Sequence, residues 1–229
     1  SREHDGNAQL HRRLSRLILA HAAQPFHVVA EEPLTGLIDA LEHVRRLMGA
    51  RKDLAHVELS QRLADDFSGI EPGSFDTVII NSVTQYLPGI EYLKRVLEGA
   101  LEALSPGGRI FIGDVRNLPL LKAFHASVQC HRAEGRTRRA DLGHMIESDI
   151  ELESELVIDP AFFVALKEEN DRISDVEIFL KRGRHQNELT RFRYDVFVHV
   201  ESRGEAAPPS WLDWREDGLR LADLQERLA

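Results

Sequence analysis

One stretch constrains the fold of this chain more than any other: Phe75 to Arg116, FDTVIINSVTQYLPGIEYLKRVLEGALEALSPGGRIFIGDVR. Phe75, Val78, Ile79 and Ile80 form a short continuous apolar run, the pattern of a parallel strand covered on both faces. Tyr92, Leu93, Val96, Leu97, Ala100, Leu101 and Leu104 then recur at helical spacing and give a helix one buried stripe. Pro106, Gly107 and Gly108 stop that helix, because proline cannot continue it and glycine tolerates the positive φ of a C-terminal turn. Arg109 to Gly113 is the next strand. Strand, helix and strand in this order predict a right-handed crossover, with the two strands adjacent, parallel and central in an α/β sheet.

Both strands run out into polar residues: Asn81, Ser82, Thr84, Gln85 and Tyr86 after the first, Asp114, Arg116 and Asn117 after the second. Ligands of a doubly wound sheet sit outside the carboxyl ends of its strands, so a site is expected here. Ordinary loop polarity is the better account of any single one of these residues, and the two readings balance only for the cluster as a whole.

The remaining elements follow from periodicity. Asn7 to Ala23 reads as a helix with Leu10, Leu14, Leu17 and Ile18 on one face. Phe26 to Ala30 and Ala55 to Leu59 read as strands, and Leu37 to Met48 as a helix between them. Beyond the crossover, helices are expected over Leu118–Ala133, Ala140–Glu155 and Asp159–Lys167, then strands over Asp175–Leu180 and Thr190–Val200. A chain of 229 residues can bury a substantial core. Its net charge of −9 argues against a nucleic-acid partner, which would require a basic face. Without a membrane-length apolar run or a signal-peptide pattern, a cytoplasmic location and no membrane partner are expected. The single cysteine, Cys130, excludes an internal disulfide, and its neighbours Ala126, Val128 and Ala133 predict a packed thiol.

Four segments carry a resemblance: FDTVIINSVTQYLP, LSPGGRIFIGDVRNLPLLKAFHASVQ, VIDPAFF and LKRGRHQNELTRFRYDV. They resemble the later half of the class I methyltransferase domains that nonribosomal peptide synthetases carry inserted within an adenylation domain, over about Leu41 to Val200. The resemblance implies a truncated class I methyltransferase (Rossmann-like) α/β fold with an antiparallel C-terminal strand pair and helical additions. The chain as a whole is expected to divide into an N-terminal helical segment over residues 1–24, a core over 25–203 and a linker with a short helix over 204–229. In that last part, WLDWREDG resembles the return into the adenylation domain. The implied partners are adenylation and carrier domains and a phosphopantetheinyl carrier-tethered peptidyl thioester.

The sequence departs from the family where the methyl donor, S-adenosylmethionine, would bind. The family's first strand leads into a glycine-rich loop, and its second ends in an acid that holds the ribose. Here Phe26–Ala30 is followed by EEPLTGL, in which Glu32, Pro33 and Leu34 do not permit the close backbone approach that glycine does. Leu37 then leads almost at once into a helix resembling the one after the family's second strand, so about one helix–strand unit is expected to be missing. The expectation is therefore no cofactor and a degenerate S-adenosylmethionine site.

A methyltransferase-like domain without its donor can still deprotonate a tethered thioester at Cα and return the proton from the other face. That resembles the epimerase domains of the pyochelin and yersiniabactin type of siderophore synthetase, which act on an aryl-cysteinyl or aryl-thiazoline thioester. The alternatives are a methyltransferase using S-adenosylmethionine to modify nitrogen or carbon, and an inactive structural insert. The expected catalytic residues are His125 as base, Tyr86 to stabilise or reprotonate the enolate, and Glu188 or Asp114 to hold the imidazole. Each has a plainer account: a hydrogen-bonded histidine under a helix, a packed ring, an ion pair with Arg191 or Arg193, and a turn acceptor. His131, His144, Asp141 and Glu147 match no zinc spacing, and Asp39 with His43 reads as a surface i, i+4 pair. No metal is expected.

Overall fold

The computed structural model describes residues 57–133 and 137–202, strands at 16–21 and 24–30, and a few positions besides. The crossover is where the sequence puts it. Strand β4 spans Phe75–Asn81, helix α1 spans Ile90–Ala103 and strand β5 spans Leu104–Arg116. The two strands pair in parallel, with Val78 opposite Ile110 and Ile80 opposite Ile112. The Pro-Gly-Gly turn is absorbed into the start of β5 as an irregularity in register, where Gly107 takes φ +85°.

Around this pair lie β1 (Arg16–His21), β2 (Gln24–Ala30), β3 (Val57–Gln61), β6 (Ile173–Leu180) and β7 (Arg193–Val200). The sheet has seven strands in the order β3-β2-β1-β4-β5-β7-β6. Strands β6 and β7 form the antiparallel end pair, β7 running against β5. Together with the helices below, this is an α/β, Rossmann-like class I methyltransferase fold with a C-terminal strand pair and helical additions.

The core lies between one face of the sheet and α1. Val78, Ile80, Ile110, Ile112, Val196 and Val198 are buried against Leu93, Val96, Leu97 and Ala100. Beyond β5 come α2 (Leu121–Arg132), α3 (Arg139–Glu151) and α4 (Ala161–Glu169), and the five-residue α5 (Glu188–Phe192) leads into β7. Phe163 of α4 is fully buried and packs edge-on to Tyr194, whose hydroxyl donates to the carbonyl of Ile158 at 3.0 Å.

Four expectations are corrected. The predicted N-terminal helix is in part a strand: Leu17, Ile18 and Leu19 lie in β1, antiparallel to both β2 and β4. Three consecutive apolar residues suit a strand between two others as well as one stripe of a helix, and two neighbours with free edges decide for the strand. The helix expected over Ala140–Glu155 ends at Glu151, so Glu153 and Glu155 leave it. The start of the last strand is a helical turn, because Asn187 and Thr190 form a reciprocal capping box that winds residues 188–192 before β7 begins. Cys130 is exposed rather than packed: α2 buries His125 and Gln129, one turn apart, which turns position 130 outward.

His43, Arg45 to Leu47 and Gly49 are helical, within the helix expected at Leu37–Met48. The EEPLTGL segment, the WLDWREDG segment and Asp39 lie outside the described residues.

Candidate active-site cleft

The carboxyl edge of β4 and β5 is built by two turns of unusual backbone. Ser82 and Asp114, which follow the two central strands, both have positive φ, 59° and 62°. They face one another: Ser82 Oγ donates to Asp114 Oδ2 at 2.5 Å, and the Ser82 N–H donates to the carbonyl of Gly113 at 3.1 Å. Strain of this kind, on the order of 1–3 kcal/mol per residue, persists only where surrounding contacts hold it. Here Lys181, on the connection after β6, supplies them, with Nζ 2.8 Å from Asp114 and 2.9 Å from Asp195. Burial works against the charge on Asp114, but the Lys181 ammonium and the Ser82 hydroxyl outweigh it and hold its carboxyl below the usual range.

After Ser82 the chain makes a short 3-10 turn, Thr84–Tyr86, that buries Thr84 and Gln85 and leaves Tyr86 47% exposed. A cleft of about 690 Å³ opens here, lined among others by Ser82, Gln85, Tyr86, Arg116, Glu153 and Glu155. Glu188, Leu189 and Arg193 close its other side.

An ion network forms one wall. Arg116, 7% exposed at the end of β5, donates through one terminal nitrogen to Glu153 at 2.7 Å and through the other to Glu155 at 3.0 Å. The guanidinium also lies over the Phe124 ring, 5.3 Å from its centroid. The Arg116 guanidinium beside Glu153 is the main reason that its carboxyl is held down at about 2, and the Glu155 N–H, donating to Oε1 at 3.0 Å, adds to this. Burial opposes the charge on Arg116, and the carboxylates outweigh it, so its pKa is raised.

The backbone explains why the two glutamates come here. After α3, residues 156–158 run beside the end of β5: the Leu156 N–H donates to the Gln85 carbonyl at 2.9 Å and the Ile158 N–H to the Arg116 carbonyl at 2.9 Å. Asn117 and Ile158 form a parallel bridge.

The expected site residues divide. Tyr86 and Glu188 both line the cleft, and Glu188 accepts from Arg193 at 2.9 Å, the ion pair given as its plainer account. His125 is 8% exposed and does not line the cleft. Its Nε2 stands 3.3 Å from Glu153 Oε2, without hydrogen-bond geometry, and its Nδ1 stands 3.7 Å from Asp149 Oδ2. Asp149 in turn accepts from Gln129 at 2.6 Å. His125 therefore reaches the cleft only through Glu153. Asp114 serves the Ser82–Lys181 corner and makes no contact with His125 among the described residues.

Sequence reasoning placed Gln85 and Arg116 at the strand ends but missed Glu153 and Glu155, assigning them to the end of the helix expected over Ala140–Glu155. The signal that could have found them is the apolar Leu156-Val157-Ile158 run before Asp159-Pro160, too short for a helix and suited to lie on a sheet edge. Gln85 is the most informative side chain lining the cleft. Gln85 is 4% exposed, its Nε2 donates to the Ser82 carbonyl at 3.2 Å, and its Oε1 has no hydrogen-bond partner among the described residues. A buried acceptor without a donor costs on the order of 1–3 kcal/mol. Oε1 is covered rather than open to the cleft, so a ligand N–H would remove that cost once the Gln85 side chain turned toward it.

No family model matches the chain. It is 48% identical over 188 residues to the chondramide synthase of Chondromyces crocatus, covering 82% of this chain and 5% of that protein. It is 37% identical over 172 residues to the beauvericin nonribosomal cyclodepsipeptide synthetase of Beauveria bassiana, covering 72% and 5%. The chain thus spans a small fraction of the curated relatives it matches. Among solved structures, a SAM-dependent methyltransferase of Methanosarcina mazei aligns at TM-score 0.47 and 15% identity, covering 76% of this chain and 82% of that one. At that score the fold rests on the strand order instead. The chain resembles a domain of nonribosomal peptide synthetases with a methyltransferase-like fold.

Proposed function

We propose that the chain is the acceptor-binding part of a methyltransferase domain of a nonribosomal peptide synthetase, and that its cleft receives the α-amino group of a carrier-tethered aminoacyl thioester. The observation that carries this reading is Gln85, which lines the cleft beside the carboxylates of Glu153, Glu155 and Glu188 and whose buried Oε1 has no donor among the described residues. An α-ammonium group brings both N–H donors and positive charge. Glu153, ionised at neutral pH and locked by Arg116, supplies field rather than proton transfer. Glu155 and Glu188 stand at the cleft and can accept the proton that must leave before nitrogen becomes a nucleophile. Tyr86 offers a hydroxyl to the thioester carbonyl.

The methyl donor of such domains is S-adenosylmethionine. Two features of the chain speak against a site for it. In a parallel sheet the strand beside β4 delivers its following loop to the carboxyl edge, but β1 pairs Arg16 with Asn81 and Ala20 with Thr77, so it runs the other way. The strand that does end at this edge next to β1 is β2, since Leu17 pairs with both Val29 and Ile80. It is followed by EEPLTGL rather than a glycine loop. Binding of S-adenosylmethionine weaker than micromolar is expected, and no step is assigned to it.

That misfit favours a second reading, epimerisation at Cα without a donor, as in the pyochelin and yersiniabactin type of synthetase. His125 would then act through Glu153, with Tyr86 facing the enolate. One experiment separates the two. A carrier-bound L-aminoacyl thioester is incubated with the protein and S-adenosylmethionine in deuterated water, and the released amino acid is weighed and its chirality determined. A mass gain of one methyl with retained configuration, at S-adenosylmethionine concentrations well above micromolar, supports the first reading. Deuterium at Cα with inversion, and no methyl, supports the second and overturns the first.

A further inference from the structure

We propose that the loop after β6, from Lys181 to His185, holds the phosphodiester of the carrier's phosphopantetheine arm, and that the aromatic hollow beside it takes the arm's apolar portion. This rests on the reading of the cleft as a thioester site. In a chain of net charge −9, the run KRGRH stands out. Arg182 and Arg184 are exposed, and neither forms an ion pair with a described residue. Lys181 differs: its bonds to Asp114 and Asp195 root the loop at the strained corner beside the cleft.

The loop is shaped rather than slack. A Cβ on Gly183 would lie 2.3 Å from Thr190 Cγ2, so the chain passes close enough to α5 that any larger residue there would force Thr190 to shift. Thr190 Oγ1 donates to the His185 carbonyl at 2.7 Å, and Asn187 closes the capping box with Thr190. The two arginines are therefore presented from a fixed backbone, which reduces the entropy lost when they bind an anion.

Beside Arg182 is a hollow of about 420 Å³, lined by Phe111, Phe179 and Phe197 with Leu180, Lys181 and Arg182 at its rim. The Phe111 and Phe197 rings lie 4.9 Å apart, and the Phe179 and Phe197 rings 5.9 Å apart. Leu180 is 77% exposed. Thr190 lines this hollow while Glu188 and Leu189, just before it in the chain, line the cleft. The two openings thus flank a single turn of α5. An arm anchored by its phosphate at Arg182 and Arg184 and laid over the phenylalanines would turn across Leu189 and bring its thioester into the cleft. The arginine fork suits a phosphodiester, and exposed apolar side chains beside it suit a chain of methyl, methylene and amide groups.

The test compares binding of holo-carrier, apo-carrier and a short aminoacyl thioester lacking phosphate, by calorimetry at low salt. Arg182→Glu with Arg184→Glu should weaken holo-carrier binding by about tenfold or more and leave the short thioester unchanged. Arg182→Lys with Arg184→Lys, which keeps the charge, should recover part of the loss and shows that the fold is intact. Apo-carrier should bind more weakly than holo-carrier and be insensitive to the charge reversal. Unchanged holo-carrier binding in the reversed variant overturns the proposal, as does apo-carrier binding as tightly as holo. A protein that binds holo-carrier through these arginines but does not bind the short thioester would refute the cleft reading and leave the loop's role standing.

Discussion

Glu153 offers a stability measurement whose size can be worked from the structure. Its side chain is only 13% exposed, and its pKa falls from the ordinary 4.5 to about 2 because Arg116 donates to it at 2.7 Å. A folded-state pKa below the unfolded value contributes stability that is complete above about 4.5 and is lost as pH falls toward about 2. At about 1.4 kcal/mol per unit, the contribution at pH 7 is somewhat over about 3 kcal/mol, and about 1.4 kcal/mol of it remains at about pH 3. Glu153→Gln removes the charge while keeping an acceptor for Arg116. The variant should therefore be about 3 kcal/mol less stable than the wild type in urea at pH 7, with the gap narrowing by about 2 kcal/mol at about pH 3. A gap that stays constant over this range would show that Glu153 does not titrate through Arg116 and would refute the network as drawn.

Three further outcomes follow from single contacts. Arg172 donates to the carbonyls of Leu101 and Leu104 at 2.6 and 3.0 Å, closing the C-terminus of α1, so Arg172→Ala should cost about 2 kcal/mol and Arg172→Lys should not recover it in thermal or urea unfolding. Tyr194→Phe removes the buried bond to the Ile158 carbonyl and should cost about 1–3 kcal/mol, read the same way. Gly113→Ala would put a Cβ 2.1 Å from Asn81 Oδ1 and 2.9 Å from the Phe111 ring between the two central strands, and should destabilise by about 1–3 kcal/mol with loss of ligand binding in the cleft.

The crossover was legible because its two signals, a continuous apolar run and a helical stripe, are local and unambiguous. Its strands and helix fall within a few residues of their predicted limits. The polar ends of β4 and β5 pointed to the cleft for the same reason, since topology alone fixes that edge. What was not legible depends on contacts distant in sequence. Leu17 to Leu19 become a strand because β2 and β4 offer pairing edges, which no local pattern states. Glu153 and Glu155 belong to the site because residues 156–158 bond to Gln85 and Arg116, some 40 to 70 residues away. His125 was placed on the correct helix, but side-chain direction put Phe124 rather than His125 at the cleft.

The claim that the cleft recognises an amine through Gln85 is tested most directly by calorimetry with paired ligands. One is a non-hydrolysable aminoacyl thioester analogue and the other the same molecule with hydrogen in place of the amino group. The wild type should bind the amino ligand about tenfold or more tightly than its partner, and Gln85→Leu should abolish most of that preference while leaving the des-amino ligand unchanged. Equal affinity of the wild type for the two ligands, or a preference untouched by Gln85→Leu, would contradict the account.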